Sequence, residues 1–249
     1  MDKCVKVRER EEEILDLVIE SYIKESKPIG SSHLCDNHHL PYSSATVRNI
    51  MEVLEKKGFL SHTHTSSGRI PTQEGFRRYV GHLKEEDIIN DYPVSLDSYS
   101  LAISDTEDIV NYTLDVLAKE SGYTSLVAIS SSSVESGQDE RLFFRGARFI
   151  LEQPEFEDIA RLKKLFYILE VKITQLQSLL FSYLDERIKI LIGDEIGLEE
   201  ISDCSLLVSG SKEKSLSFGL LGPIRMDYVK ASSCLCAVRN ELKKISRES

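Results

Sequence analysis

Apolar positions Leu15, Val18, Ile19, Tyr22 and Ile23 recur at helical spacing between Glu9 and Ile23, with acids on the opposite side. This pattern predicts an amphipathic helix. Lys27-Pro28-Ile29-Gly30 stops it, and Ser31 or Ser32 can cap a short second helix running to about Asn37. After the turn His39-Leu40-Pro41-Tyr42, Ser43 or Ser44 can accept the free amides of a third helix. In that helix Val47, Ile50, Met51 and Leu54 form an i, i+3, i+4, i+7 stripe that ends at Lys57-Gly58. Three helices with a tight second turn predict a helix-turn-helix. The pattern then shortens to extended segments, Phe59 to Thr65 and Arg69 to Pro71, around Ser66-Ser67-Gly68, which reads as a wing. Thr72 can cap a further short helix with Phe76, Tyr79, Val80 and Leu83 inward and Arg77 and Arg78 outward.

The first domain is therefore expected to span residues 1–84, followed by a weakly periodic linker, 85–104. The second domain, 105–249, opens with a helix of about Thr106 to Glu120 and a strand over Ser125 to Ser130. A polar loop leads to an extended stretch, Arg141 to Ile150. From Pro154 a long helical stretch carries Leu162, Leu165, Leu169, Ile173, Leu176 and Leu180 at alternating spacings of three and four. Such a stripe suits a partner helix and a dimer surface, or the domain's own sheet. Ile188 to Ile192, Ser205 to Ser209 and Leu216 to Leu221 read as strands, and a last helix runs from about Tyr228 to Ile245. The expected fold is α+β: a winged helix followed by an α/β domain with a mostly antiparallel sheet.

Composition changes this picture only in part. The chain of 249 residues has 41% hydrophobic and 29% charged residues, values of a folded protein. No apolar run approaches the ~20 residues of a membrane helix, and the start lacks an apolar signal core, so a cytoplasmic protein is expected. The five scattered cysteines, without a CxxC pair, fit free thiols. A net charge of −10 argues against a polyanionic partner until its distribution is examined. Residues 1–84 hold 13 basic and 12 acidic side chains, against 18 and 29 in the remainder, and Glu74 is the one acid between Lys56 and Lys84. A local basic surface on an acidic protein can steer a polyanion to one face.

The first turns of a recognition helix enter the major groove, where short hydroxyls and forked donors reach base edges and phosphates. Ser43, Ser44, Thr46, Arg48 and Asn49 are of those types. His64, Thr65, Ser66, Ser67 and Arg69 in the wing, and Arg77 and Arg78 after it, complete the expected contacts to double-stranded DNA. The competing reading is a winged-helix adaptor that binds only protein, since fold does not fix function. Cys35, His38 and His39, or His62 and His64, give no closed set of four metal ligands. Cys204 has no histidine placed beside it by the pattern. No metal, cofactor or catalytic residue is expected, and the chain reads as a non-enzyme.

Beyond these patterns, ordered motifs carry a resemblance. Pro41-Tyr42-Ser43-Ser44-Ala45-Thr46-Val47-Arg48-Asn49, His64-Thr65-Ser66-Ser67-Gly68-Arg69-Ile70-Pro71-Thr72 and Gly75-Phe76-Arg77-Arg78-Tyr79-Val80 closely resemble the HrcA family of heat-inducible transcription repressors. The likeness continues through Gly122-Tyr123-Thr124, Gln153-Pro154-Glu155-Phe156, Asp203-Cys204-Ser205 and Gly222-Pro223-Ile224-Arg225-Met226-Asp227-Tyr228. The resemblance implies a dimeric repressor of chaperone genes that binds an inverted-repeat operator of the CIRCE type. It further implies tuning by the GroEL chaperonin and a GAF-like second domain. Three departures stand out: Ser32 where an arginine is usual, Ile224 in place of threonine, and a shortened middle between Thr124 and Arg141.

Overall fold

A computed structural model describes residues 2–62, 68–83, 94, 96, 105–131, 139–184, 187–211 and 215–248. The chain divides into two compact units, Met1–Leu83 and Lys84–Ser249. The expected linker, 85–104, lies outside the described residues except for 94 and 96, and so does the wing tip, 63–67.

The first unit comprises α1 (Asp2–Glu25), α2 (Ser31–His38), α3 (Ser44–Lys56), the hairpin strands β1 (Leu60–His62) and β2 (Arg69–Pro71), and α4 (Gln73–Val80). Its core is the set of apolar stripes: Ile14, Leu15, Val18 and Ile19 of α1, Leu34 of α2, Val47, Met51 and Leu54 of α3, and Phe76 and Tyr79 of α4 are all buried. The Tyr22 and Phe76 rings meet at 6.4 Å. Ser43 caps α3 by accepting the Thr46 N–H, and Thr72 caps α4 by accepting the Gly75 N–H at 3.1 Å. At the far end of α3 the chain reverses through Gly58 at φ +82°, where the Phe59 N–H reaches back to the Leu54 carbonyl. α2 differs from its expected start. Its N-cap is Gly30, with no side-chain cap, and the hydroxyls of Ser31 and Ser32 instead meet that of Ser44 at 3.1 and 3.0 Å.

The second unit is a five-stranded sheet between two helical layers. Its elements are α5 (Thr106–Ser121), β3 (Thr124–Ser131), β4 (Asp139–Arg145), α6 (Ala147–Leu151), a 3-10 turn (Pro154–Glu157), α7 (Ile159–Glu170), α8 (Ile173–Ser182) and β5 (Lys189–Ile192). Two short 3-10 turns, Gly193–Ile196 and Glu199–Ile201, lead to β6 (Cys204–Ser211), β7 (Leu216–Pro223) and α9 (Tyr228–Glu248). Strand order is β4-β3-β7-β6-β5, antiparallel throughout. Both faces of the central strands are buried, which explains why β6 and β7 read as continuous apolar runs rather than alternating ones. Ser125 and Ser205 look toward α5 and α9, bonding the Leu114 carbonyl and the Tyr228 hydroxyl at 2.8 Å each. Ser217 looks the other way and donates to the Leu180 carbonyl of α8 at 2.9 Å. With the winged helix of the first unit, this layered antiparallel sheet gives the α+β architecture expected from the sequence.

Three expectations are corrected. The stretch Arg141 to Ile150 is extended only to Arg145, after which Gly146 at φ +80° turns it into α6. The long helix after Pro154 is two helices, broken at Val171-Lys172. The leucine stripe is not a dimer surface: Leu165, Leu169, Leu176 and Leu180 are buried with Leu126, Leu206, Val208 and Leu221 in the unit's own core, and Leu162 is half-buried. A regular stripe shows which face is apolar but not what covers it.

Candidate nucleic-acid interface

The N-terminal half of α3 stands out from the unit. Ser43, Ala45, Thr46, Arg48 and Asn49 are exposed while Val47 is buried, so the capped first turns present short polar groups around one guanidinium. The Arg48 side chain is 71% exposed and meets Glu52 at 3.5 Å, a surface pair contributing little that a stronger anion can displace. Ser44 and Arg48 line a groove of about 540 Å³ with Gly30, Ser31, Ser32 and His33. The groove therefore lies where α2 and α3 both begin. The first amides of α2 have no intrahelical partner and no side-chain cap, and two helix N-termini bring partial positive charge to the same place. Hydroxyls at Ser31, Ser32 and Ser44, amides and a guanidinium are together a donor set for phosphate. The sequence reading missed Ser31 and Ser32 because it assigned them as caps; the pair after Gly30 was the available signal.

The other expected arginine contacts each meet an acid of the same unit, and Arg69 also lines this groove. Arg69 is inside the fold: its side chain is 8% exposed, its Nε–H donates to Glu55 at 2.9 Å, and its backbone bonds Ile29 in both directions at 2.8 Å. Arg69 thus acts as a strut that ties the wing base to α3, with Glu55 also taking His62. Arg78 is paired with Glu12 of α1 and lines a different groove, with Arg8, Glu11 and Lys57 at the C-terminal end of α3. Lys57 there pairs with Glu11. Arg77 meets Glu74 at 3.2 Å. Lys57 and Arg78 of the acid-poor segment therefore draw their counter-charges from α1, which the linear count could not reveal. His64, Thr65, Ser66 and Ser67 lie outside the described residues.

The rival chemistries gain no geometry. Among the described residues no group of three or more His, Cys, Asp or Glu could hold a metal. His38 meets Ser21 at 3.2 Å and His33 meets Glu25 at 2.6 Å. Cys35, Cys204, Cys234 and Cys236 are free thiols. Burial pushes the Cys204 and Cys234 thiols up to about 12, so both are protonated and poor nucleophiles at neutral pH. No helix among the described residues is long and apolar enough to cross a membrane.

In the second unit the family-like motifs converge on one structural node. The Asp227 N–H donates to the Tyr123 hydroxyl at 2.7 Å, and Arg225 binds the Gln153 side chain at 2.9 Å and Glu155. The Tyr228 hydroxyl joins Ser205. Gly222 lacks a Cβ because one would stand 2.8 Å from the Tyr123 ring. Every polar group here is occupied by another, which makes the node an anchor for α9.

Comparison with known proteins agrees with this organisation. Residues 128–231 match the family described as HrcA protein C terminal domain. The heat-inducible transcription repressor HrcA of Bacillus pumilus is 28% identical, over 92% of this chain and 95% of that protein. Its counterpart from Symbiobacterium thermophilum is 24% identical, over 97% and 99%. The first of these alignments spans 327 positions, more than the 249 residues of this chain, so that relative carries segments absent here. A crystal structure of a hypothetical protein superposes with a TM-score of 0.76 at 18% identity, over 94% of this chain and 97% of the other, and shares its fold.

Proposed function

Because the chain belongs to the HrcA family, whose curated relatives are heat-inducible transcription repressors, we propose that it represses chaperone genes by binding an inverted-repeat operator of the CIRCE type as a homodimer. The observation that carries this reading is the exposed first half of α3 beside the uncapped start of α2. In it Arg48 and Asn49 read base edges, while Ser31, Ser32, Ser43, Ser44 and Thr46 hold phosphates and fix register. His64, Thr65, Ser66 and Ser67 are of residue types that suit further DNA contacts. The GAF-like unit regulates and dimerises, and the GroEL chaperonin keeps the repressor active. A repressor of this kind works in the cytoplasm and needs no catalytic residue or cofactor.

A gel shift with an inverted-repeat promoter fragment against a scrambled one, over a salt series, tests the reading. Specific binding that weakens steeply with salt is the expected result, because phosphate contacts release counterions. Equal affinity for both fragments, or salt-independent capture of protein partners alone, rejects it in favour of an adaptor.

A further inference from the structure

The sheet of the second unit ends differently at its two edges. β5 is four residues long, begins at Lys189 and runs straight into a 3-10 turn, features that blunt an edge. β4 has seven residues with neither Lys nor Pro. It pairs with β3 in unbroken one-to-one register from Ser131↔Asp139 to Ser125↔Arg145, so no bulge bends it away. Among the described residues no strand pairs with its outer side. Phe143 and Phe144, which alternate to opposite faces, are 37% and 40% exposed, and Leu151 just beyond is 48% exposed. A long, regular edge flanked by aromatic side chains on both faces is a template for another strand.

We propose that β4 is the dimer edge: a second copy of this chain adds its own β4 antiparallel about a two-fold axis, joining two five-stranded sheets into one. The need for a two-fold rests on the operator reading, but the register follows from the strand itself. Opposed residues in an antiparallel ladder either both point their backbone groups at each other or both point them away. The axis must therefore pass through a residue paired with its own copy. An axis at Arg141 sets two guanidinium groups opposite each other, and an axis at Phe143 sets Arg141 against Arg145 twice. An axis at Leu142 sets Arg141 against Phe143, which avoids like charges and lets a cation meet an aromatic ring.

Leu142→Cys tests the register directly. Opposed Cα atoms in such a pair stand roughly 4.5–5.5 Å apart, within disulfide reach. Light scattering of the wild type should give the mass of two chains, and oxidised Leu142→Cys should give a covalent dimer whose linking peptide maps as 142 to 142. The double change Phe143→Lys, Phe144→Lys should give a folded monomer by circular dichroism, with a loss of inverted-repeat affinity of about tenfold or more. A wild-type mass of one chain, even with operator present, overturns the proposal, as does a dimer that forms no 142–142 disulfide. Should the lysine variant unfold, the cysteine result decides. A 142–142 dimer that binds scrambled DNA as tightly keeps the edge and rejects the operator reading.

Discussion

Arg48 and Arg69 carry the same charge and sit in the same unit, yet burial gives them different roles. Arg48 is open to solvent, while Arg69 is enclosed and shares Glu55 with His62. Arg69→Ala leaves Glu55 with His62 as its remaining partner and should destabilise the first unit by roughly 1–3 kcal/mol in a urea melt, less than a fully buried pair because Glu55 keeps some water. Arg48→Ala should leave that melt within about 0.5 kcal/mol of wild type but cost on the order of 1–3 kcal/mol of discrimination between operator and scrambled DNA. If the two patterns exchange, the assigned roles are wrong. Asp16 of α1 offers a third test. Burial is the main cause that raises its carboxyl from 3.8 to about 6, with His82 working the other way, and its Oδ1 is buried without a hydrogen-bond partner. The ionised form is the costly one, so the penalty is full above about 6 and is relieved as pH falls toward 3.8 and the folded state takes up the proton. Asp16→Asn should therefore raise the Tm by a few degrees at neutral pH, with the gain fading below 3.8; an equal gain at both would exclude titration as its source.

At the scale of elements, local rules account for the ends of helices and packing accounts for their partners. Ser43→Ala removes the cap of α3 and should cost about 1 kcal/mol in the same urea melt. It should weaken DNA binding further only if the freed first turn frays at the interface. The α7 and α8 stripe behaves as core, so Leu169→Glu should unfold the second unit, seen as loss of its melting transition, rather than yield a folded monomer. The periodicity was legible through Leu180, but the break at Val171-Lys172 was not, because the same three-and-four spacing resumes after it. Likewise Ser31 and Ser32 were legible as helix-start residues. Placing the cap at Gly30, and so freeing both hydroxyls for Ser44, needed the neighbouring helix.

For the whole molecule, the proposed function couples a DNA-reading unit to one that regulates and dimerises. If the chaperonin keeps this repressor active, adding it should increase the operator-bound fraction in a gel shift and slow its loss on warming. Unchanged binding by a protein that stays folded would count against that route. Tyr123, Glu155, Asp203 and Arg225 through Tyr228 converge to anchor α9 to the sheet, and the Ile224 N–H to Asp203 carbonyl bond at 3.4 Å closes the same corner.

By itself the sequence determined the winged helix, the caps of α3 and α4, the antiparallel α+β class and the exposed face of α3. Hydrophobic period, Gly and Pro positions and capping side chains act within a few residues and can be read in a line. Only the tertiary structure decided what each face meets. It buried Arg69 on Glu55, paired Arg78 and Lys57 with acids of α1, turned a candidate dimer stripe into core, and left β4 without an outer partner strand among the described residues. Those outcomes depend on which surfaces are brought together across long stretches of chain, and charge or apolar period along one segment carries no information about the segment that comes to cover it.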